Sequence, residues 1–584
     1  MSGKDGRVIP PLPEKGVRSW FPGLWTARHY QRSWLVRDVG AGLALTTLLV
    51  PAGMGYAEAA GLPAVAGLYA TVLPLLVYAL VGPSRILVLG PDSALTALIA
   101  VVVVAKAPHD PARAVAFAAV LALMTGGLCV AAGLLGLGFV TELLSKPVRV
   151  GYMNGIGLTI VITQLPKLLG FSVDAADVLD GAPELLHGVA AGRVDAVSLL
   201  IGGGCLAVIF VARAVAPRAP GVLVAVIGAT LAVKVFDLHE RLAVVGVVPR
   251  GLPVPALPRV ALGELPELVV TAIGIALVSF ADTSVVSRTF AGRNGYRVEA
   301  NRELVALGLA NVGAGLFGGF PISSSASRTP VAEAAGARTQ LTGVVGAVAI
   351  VVLLVLAPAL LADLPRTALA AVVISAAVNM FDAGTLRRAW KVRRSDFLLA
   401  LVAFAAVASL GVVKGIAVAV ATSLLDVVRR VWRPHDAILG RAPGVKGYHD
   451  VKRYPNARQV PGLVILRWDA PLFFANADLF RARVLEAAQA AAAATPTRWV
   501  VVAAEPITDV DTTAAEMLEE LDVELGKLDA ELAFAELKDP VKDRLQRYGL
   551  EKRIGREFFF PTIGVAVKEY LARHPVEWTD WEDA

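Results

Sequence analysis

Cysteine is nearly absent from this chain: two residues, Cys129 and Cys205, in 584. Both lie inside apolar runs, so the sequence offers neither a disulfide framework nor a zinc pattern, and they read as small core hydrophobes. Histidine is also scarce. The seven present form no HExxH and no ligand pair at helical spacing, which leaves metal catalysis without support. No Walker motif occurs, which argues against an ATP-driven pump. Charged residues make up 18% of the chain, against about 25% in an average soluble protein. The net charge of +6 would suit a nucleic-acid partner, but in so apolar a chain basic cytoplasmic loops account for it. The segment up to Arg37 is polar and basic and lacks the short apolar region of a cleavable signal peptide. No enzyme activity, cofactor or nucleic-acid partner is expected.

What the chain has instead is apolar sequence, at 56% hydrophobic residues. Apolar runs recur from Ala41 to Val428, and those at 114–140, 196–212, 341–361 and 397–413 are long enough to span a bilayer. Basic clusters punctuate them: Arg28, Arg32 and Arg37; Lys146 and Arg149; Arg213 and Arg218; Arg288 to Arg302; Arg387 to Arg394; Arg429 to Arg433. An acidic group, Asp174, Asp177, Asp180 and Glu184, interrupts the series. If every basic cluster faces the cytoplasm, an even number of crossings separates neighbours, giving about fourteen helices with both termini inside. Hydropathy alone would give about ten to twelve.

Two short interrupted segments account for the difference. Ile86-Leu-Val-Leu-Gly-Pro-Asp-Ser-Ala94 and Phe320-Pro-Ile-Ser-Ser-Ser-Ala-Ser-Arg-Thr-Pro330 each combine Pro or Gly with Ser or Asp at capping positions, the elements of an abrupt helix start. Residues 92–105 would rise only about 20 Å, at about 1.5 Å per residue, against a hydrocarbon core of about 30 Å. Such segments in corresponding places in two hydrophobic halves mark a transporter's binding site. Helix N-termini attract anions, and Arg328 adds a full charge with donors suited to an oxyanion or carboxylate. Ser93, Ser325 and Ser327 supply hydroxyls, and the backbone at Ala94 and Ala326 supplies N–H groups. Asp92 reads as a helix cap, as a partner that neutralises Arg328, or as a direct selectivity or cation-binding group that narrows the choice to small or singly charged anions. Asp282 follows an apolar stretch deep enough to be intramembrane. At about 2.5–3.5 kcal/mol on insertion scales, an acid there is a functional candidate. Ionised, it would repel an anion; neutralised by H⁺ or Na⁺, it would permit binding. The plain alternative is a structural Asp paired with Arg288 or capping a kink. Gly136-Leu-Gly138 and the glycines at 315–319 read as close helix packing.

After Trp432 the pattern changes. Strands are expected at 462–468, 499–503 and 531–535, and helices at 476–494, 513–528, 540–548 and 562–571. Their alternation gives a small α/β domain.

Val50-Pro-Ala-Gly-Met-Gly-Tyr-Ala-Glu-Ala-Ala-Gly-Leu-Pro63 with Gly67-Leu-Tyr69, Gly82-Pro-Ser-Arg85 and Gly90-Pro91 resemble motifs of the sulfate permease (SulP) family. So do Asn301-Arg-Glu-Leu304, Gly308-Leu-Ala-Asn311, Ser327-Arg-Thr329 and Ala335-Gly-Ala-Arg-Thr-Gln340. The resemblance runs from about Trp34 to Leu571. It implies an α-helical polytopic membrane protein of two inverted seven-helix repeats, with core and gate domains, elevator-like alternating access and a homodimer. It places the anion between the third and tenth helices, adds Ser324 to the substrate contacts and lets Tyr56 line the site. The tail resembles a STAS domain, with Thr512 near the position phosphorylated in anti-sigma antagonists; a helix N-cap is the plain reading there. Ala52, Ser324 and Asp282 depart from the family's usual Gln, Gly and Glu, and leave the anion and the coupling ion open.

The expected organisation is a cytosolic segment 1–33, a transport domain 34–432 and a cytosolic STAS domain with its tail at 433–584. The expected function is secondary active transport of a small inorganic or carboxylic anion, coupled to H⁺ or Na⁺, in the plasma (inner) membrane. A cytosolic STAS-binding protein would be a further partner. Two alternatives stand beside it: a nucleobase–cation symporter of the same architecture, and a membrane-anchored STAS sensor. Arg328 in place of a carboxylate disfavours the symporter.

Overall fold

The computed structural model describes residues 20–107, 110–139, 145–173, 175, 178–216 and 220–580. Asp174, Asp177 and Arg218, and residues 1–19 of the expected N-terminal segment, lie outside the described residues. The chain divides into two compact units, Met1–Ser423 and Leu424–Ala584.

The first unit is helical. Its helices begin with α1 (Pro22–Arg28), α2 (Leu35–Ala59) and α3 (Ala64–Val81), followed by the two-residue strand β1 (Leu89–Gly90). Next come α4 (Ser93–Lys106), α5 (Pro111–Leu134), α6 (Lys146–Leu168), α7 (Val178–Ala190), α8 (Ala196–Val215) and α9 (Gly221–Val235). The second half runs α10 (Leu265–Arg293), α11 (Ala300–Leu316), strand β2 (Ser323–Ser324), α12 (Arg328–Ala334) and α13 (Leu341–Leu356). It continues with α14 (Arg366–Val378), α15 (Ala383–Val392) and α16 (Arg394–Leu410), and the boundary at Ser423 falls within the last helix, α17 (Val412–Trp432). Among the described residues, six helical spans are long and apolar enough to cross a membrane. The helices α4, α9 and α13 are apolar but shorter.

Helix ends differ from the apolar runs where backbone chemistry intervenes. The run 114–140 is a helix from Pro111, capped by the Asp110 carboxylate that accepts the Ala112 and Arg113 N–H groups at 3.0 Å, and it ends at Leu134. The run 341–361 stops at Leu356, and Pro358 opens a separate 3-10 turn. The run 397–413 is not one element. Gly411 adopts φ 77°, in the left-handed region that stops a helix, and separates α16 from α17.

Packing groups the helices into two clusters, α2 to α5 with α10 to α13, and α6, α8, α9, α14 and α16. Small residues let backbones touch. Gly126 and Gly308 face each other across α5 and α11, and Gly315 faces the Ala119 carbonyl. The Gly138 N–H donates to Asn301 Oδ1 at 2.8 Å, so the second glycine of that pair is at a close contact as expected. A Cβ on Gly67 would sit on the Gly53 carbonyl oxygen, where α2 meets α3. Gly67→Ala is therefore expected to cost about 1–3 kcal/mol of overpacking, measured as a lower midpoint of thermal unfolding in detergent; an unchanged midpoint would contradict this contact. Cys129 and Cys205 are both buried, and Cys205 Sγ donates to the Ala225 carbonyl at 3.6 Å.

The second unit is an α/β domain. Its strands β3 (Asp436–Arg441), β4 (Tyr448–Asp450), β5 (Leu463–Trp468), β6 (Trp499–Ala503), β7 (Glu531–Ala535) and β8 (Phe559–Phe560) form one sheet in the order β4-β3-β5-β6-β7-β8. The strands β5 to β8 are parallel, while β3 runs antiparallel to both its neighbours. Helices α18 (Ala477–Ala492), α19 (Thr512–Gly526), α20 (Asp539–Arg547), α21 (Leu550–Ile554) and α22 (Ile563–Arg573) complete it. Sequence patterning finds the three central strands. It misses β3, which carries Gly440 and charged ends, and β4 and β8, which are too short to show a period of two. The burial of Trp468, Trp499, Phe480 and Phe534 fixes the core. Thr512 is not the cap of its helix: Asp511 is, accepting the Ala514 N–H at 2.8 Å, and Thr512 is the exposed first helical residue.

Candidate functional site

The two interrupted segments meet. β1 and β2 pair antiparallel, with Leu89 opposite Ser324 and Gly90 opposite Ser323. The Ser325 N–H extends the pairing by donating to the Val88 carbonyl at 3.0 Å. Extended backbone inside an apolar bundle must have its polar groups satisfied by protein, and here each segment satisfies the other. Helix α4 starts three residues beyond Gly90. Asp92 caps it, its carboxylate accepting the Ala94 N–H at 3.0 Å. The second segment differs from its expected form. Its serines begin as strand, and the helix that follows has only seven residues, starting at Arg328. Ser325 acts as the capping side chain, its Oγ accepting the Arg328 N–H at 3.2 Å and lying 3.1 Å from Ser327 Oγ.

Arg328 sits at the crossing and is 2% exposed. Its Nη2 donates to the Pro91 carbonyl, which ties the start of α12 to the start of α4. Gly90 makes room: its φ is 152°, and a Cβ there would lie 3.1 Å from Arg328 Nη1. Among the described residues, Arg328 Nε and Nη1 and the Ser324 Oγ are buried with no hydrogen-bond partner. Asp92 and Arg328 act on each other electrostatically but form no direct ion pair, so as between capping and pairing the geometry carries capping. Tyr56 on α2 is buried and lies within electrostatic reach of Asp92, Ser93 and Arg328. Ser93 is buried at the first helical position, whereas Ala326 and Ser327 are exposed.

Asp282 lies on α10, which is tied to the crossing on either side of it. Thr283 Oγ1 accepts the Ser324 N–H at 3.2 Å, and Ser279 Oγ donates to the Ile322 carbonyl at 2.8 Å. Its Oδ2 is enclosed with no hydrogen-bond partner, and Asp92, Arg149 and Tyr152 are the groups within electrostatic reach. The expected substrate contacts and Asp282 thus belong to one neighbourhood. Thr512 belongs to the second unit.

Sequence reading passed over the residues that hold the crossing. Asn311 on α11 accepts the Ile322 N–H at 2.8 Å and donates to the Ile322 carbonyl at 3.1 Å. Gln340 donates to the Ser84 and Leu87 carbonyls, each at 2.9 Å, and Thr329 Oγ1 accepts the Val88 N–H. The available signal was a lone amide amid apolar residues, which must find backbone partners. Glu303 was also missed as chemistry: buried on α11, it accepts from Tyr78 Oη at 2.5 Å.

The chain can now be set beside known proteins. Residues 35–403 match the sulfate permease family and residues 454–566 the STAS domain. A probable sulfate transporter of Mycobacterium tuberculosis (strain CDC 1551 / Oshkosh) is 42% identical over 567 residues, covering 97% of this chain and 100% of that protein. Human solute carrier family 26 member 6 is 33% identical over 482 residues, 78% of this chain and 63% of that protein. Among solved structures, the murine solute carrier 26 family member A9 anion transporter in its inward-facing state matches with a TM-score of 0.87, covering 97% of each chain; at 23% identity this shows the fold. The transmembrane domain of the cyanobacterial bicarbonate transporter BicA matches 69% of this chain and 98% of that one, with a TM-score of 0.58 and 26% identity. A helical membrane unit built around paired broken segments, followed by a STAS sheet, makes this chain a multi-pass member of the sulfate permease family.

Proposed function

We propose that this protein is a secondary active transporter that binds a small anion at the β1–β2 crossing. The observation that carries the reading is the guanidinium of Arg328, buried with Nε and Nη1 unpartnered. Buried polar groups without partners are rare and costly, at about 1–3 kcal/mol each and more when charged. An anion at the starts of α4 and α12 would pair these donors, with Ser324, Ser325 and Ser327 adding hydroxyls. Ser93, the backbone at Ala326 and Tyr56 complete the proposed contacts, while the Ala94 N–H is held by Asp92, which balances part of the charge. Asp282 is the proposed coupling residue, for H⁺ or Na⁺.

Relatives named as sulfate transporters, an anion transporter and a bicarbonate transporter support the inorganic anion class, with chloride and dicarboxylates also to be tried. The two helix clusters support an elevator-like movement of one against the other. We assign transport to 34–432 and the STAS domain with its tail to 433–584, in a homodimer in the plasma membrane with both termini cytoplasmic. Thr512, exposed at the start of α19, is the proposed phosphate acceptor for STAS regulation, open to phosphopeptide mapping.

Uptake into proteoliposomes of labelled sulfate, bicarbonate, chloride and dicarboxylates, under imposed H⁺ or Na⁺ gradients, tests the reading. Saturable, gradient-driven uptake of at least one anion is expected, and no uptake of any of them would sink it. The chain truncated after Arg433 is expected to retain part of the flux. A sensor would show none in either form.

A further inference from the structure

We propose that Tyr152 is a positioning residue for coupled transport. From α6 its hydroxyl closes on the Asp282 carboxylate, across the seam between the two helix clusters, while that carboxylate is charged, and lets go when it is neutralised. This latch rests on the reading of Asp282 as the coupling acid and adds the group that senses its charge.

The two side chains belong to different clusters. Tyr152 lies on α6, which packs against α14 and α16, and Asp282 lies on α10, which packs against α4 and α5. Each is fastened to its own side. Gly151 lies so close to α16 that a Cβ there would overlap the Ala400 carbonyl, and a Cβ on Gly155 would meet Val407. Asn154 Oδ1 accepts the Asp382 N–H at 3.1 Å, where α15 begins. On α10, Ser279 and Thr283 are bonded to the crossing on either side of Asp282. A displacement of one cluster against the other therefore changes the separation of Tyr152 and Asp282.

Both groups are unsatisfied where they stand. Tyr152 is fully buried and its Oη has no hydrogen-bond partner; Asp282 Oδ2 is buried and has none either. A buried tyrosine normally gives its proton to an acceptor, because the desolvation of an unpaired hydroxyl goes uncompensated. The two groups lie within electrostatic reach of each other. Arg149, one turn before Tyr152 on the same face of α6, reaches Asp282 as well, so this face of α6 looks toward α10. The other charged group acting on Asp282 is Asp92, at the start of α4, which packs against both helices. An ionised Asp92 can only accept, and Arg149 is half-buried. Of these three groups, Tyr152 alone is a fully buried donor.

A phenol has one proton to give. Given to a charged carboxylate, that bond is roughly twice as strong as the bond between neutral groups. The contact therefore draws the clusters together while Asp282 is ionised, and uptake of H⁺ or Na⁺ by Asp282 removes most of the attraction. A carrier without its ion is held, and one that has taken its ion is free to move. That is the condition for coupling, since reorientation without the ion is slip.

Tyr152→Phe removes the hydroxyl and keeps the ring, so the variant should elute and melt like its parent. The decisive measurement is the distance distribution between spin labels on the two clusters, at Leu134→Cys of α5 and Leu398→Cys of α16, both exposed positions. The chains carry Cys129→Ala and Cys205→Ala and are diluted with unlabelled protein. In the parent, adding H⁺ or Na⁺ should shift the balance between two distributions. Tyr152→Phe should move the ion-free balance about tenfold toward the ion-loaded one. Asp282→Asn should move it the same way, and the double variant should go no further than Asp282→Asn alone. In proteoliposomes, Tyr152→Phe should raise undriven uptake and bring the driven-to-undriven ratio toward one, with the KM for the anion unchanged.

An ion-free balance indifferent to Tyr152→Phe, or a shift that adds in full to that of Asp282→Asn, would overturn the latch. So would a raised KM with the driven-to-undriven ratio intact, which would make Tyr152 an anion contact. The two readings fail separately. An Asp282→Asn chain that keeps its ion response removes the coupling reading and the latch with it. A response lost in Asp282→Asn but unaltered by Tyr152→Phe keeps the coupling and removes the latch alone. The distances decide this even in a chain that carries no anion.

Discussion

Arg328→Met is expected to abolish anion uptake while leaving the protein folded. The wild-type guanidinium is 2% exposed, spends Nη2 on the Pro91 carbonyl and leaves Nε and Nη1 buried without a hydrogen-bond partner, open to the proposed anion. Removing one partner of a buried, hydrogen-bonded charge pair costs about 2–5 kcal/mol. At about 1.4 kcal/mol per tenfold, that is roughly a 30-fold to several-thousand-fold loss of anion affinity. Methionine fills much of the same space without a buried charge, and replacing a buried ionic group by an apolar one is often neutral for stability. The variant should therefore stay monodisperse and melt near the parent, even with the bond to Pro91 lost. Arg328→Lys separates charge from geometry. A point-like ammonium cannot serve the Pro91 carbonyl and an oxyanion with a planar fork, so intermediate affinity is expected. A folded Arg328→Met protein with the parent's KM would remove the guanidinium from the site.

The second large effect is at Asp282. Asparagine keeps its shape but cannot carry the charge that the proposed H⁺ or Na⁺ coupling requires. Asp282→Asn should abolish the stimulation of uptake by an ion gradient, bringing the driven-to-undriven ratio to about one, while exchange of labelled for unlabelled anion continues. The structural reason is proximity. Thr283 and Ser279 fix α10 to the backbone of Ile322 and Ser324, so a change of charge at Asp282 acts on the crossing without passing through a flexible segment. Ion-dependent uptake that survives unchanged in the Asn variant would move the coupling elsewhere, with Glu303 the next acid to replace.

The two predictions differ in how far the sequence could reach them. Arg328 was legible because an arginine amid serines beside Pro is too polar for lipid, and Asp282 because an intramembrane acid is expensive. Neither reading supplied the pairing of Leu89 with Ser324, which lie 235 residues apart in the numbering. A two-residue strand has no period to detect, and its partner is unknowable until the chain has folded. The same limit hid Asn311 and Gln340, whose worth lies wholly in the remote carbonyls they serve.

Composition, apolar run lengths and basic clusters thus determined a polytopic membrane chain followed by an α/β tail, since those properties follow from local transfer energies and periodicity. They also marked the two interrupted segments and the acid at 282. Tertiary structure alone decided that the segments cross as strands and that Arg328 ties their helix starts together. It also decided that Ser325 and Asp511, rather than their neighbours, cap helices. Each of these depends on groups distant in sequence satisfying one another where water is excluded.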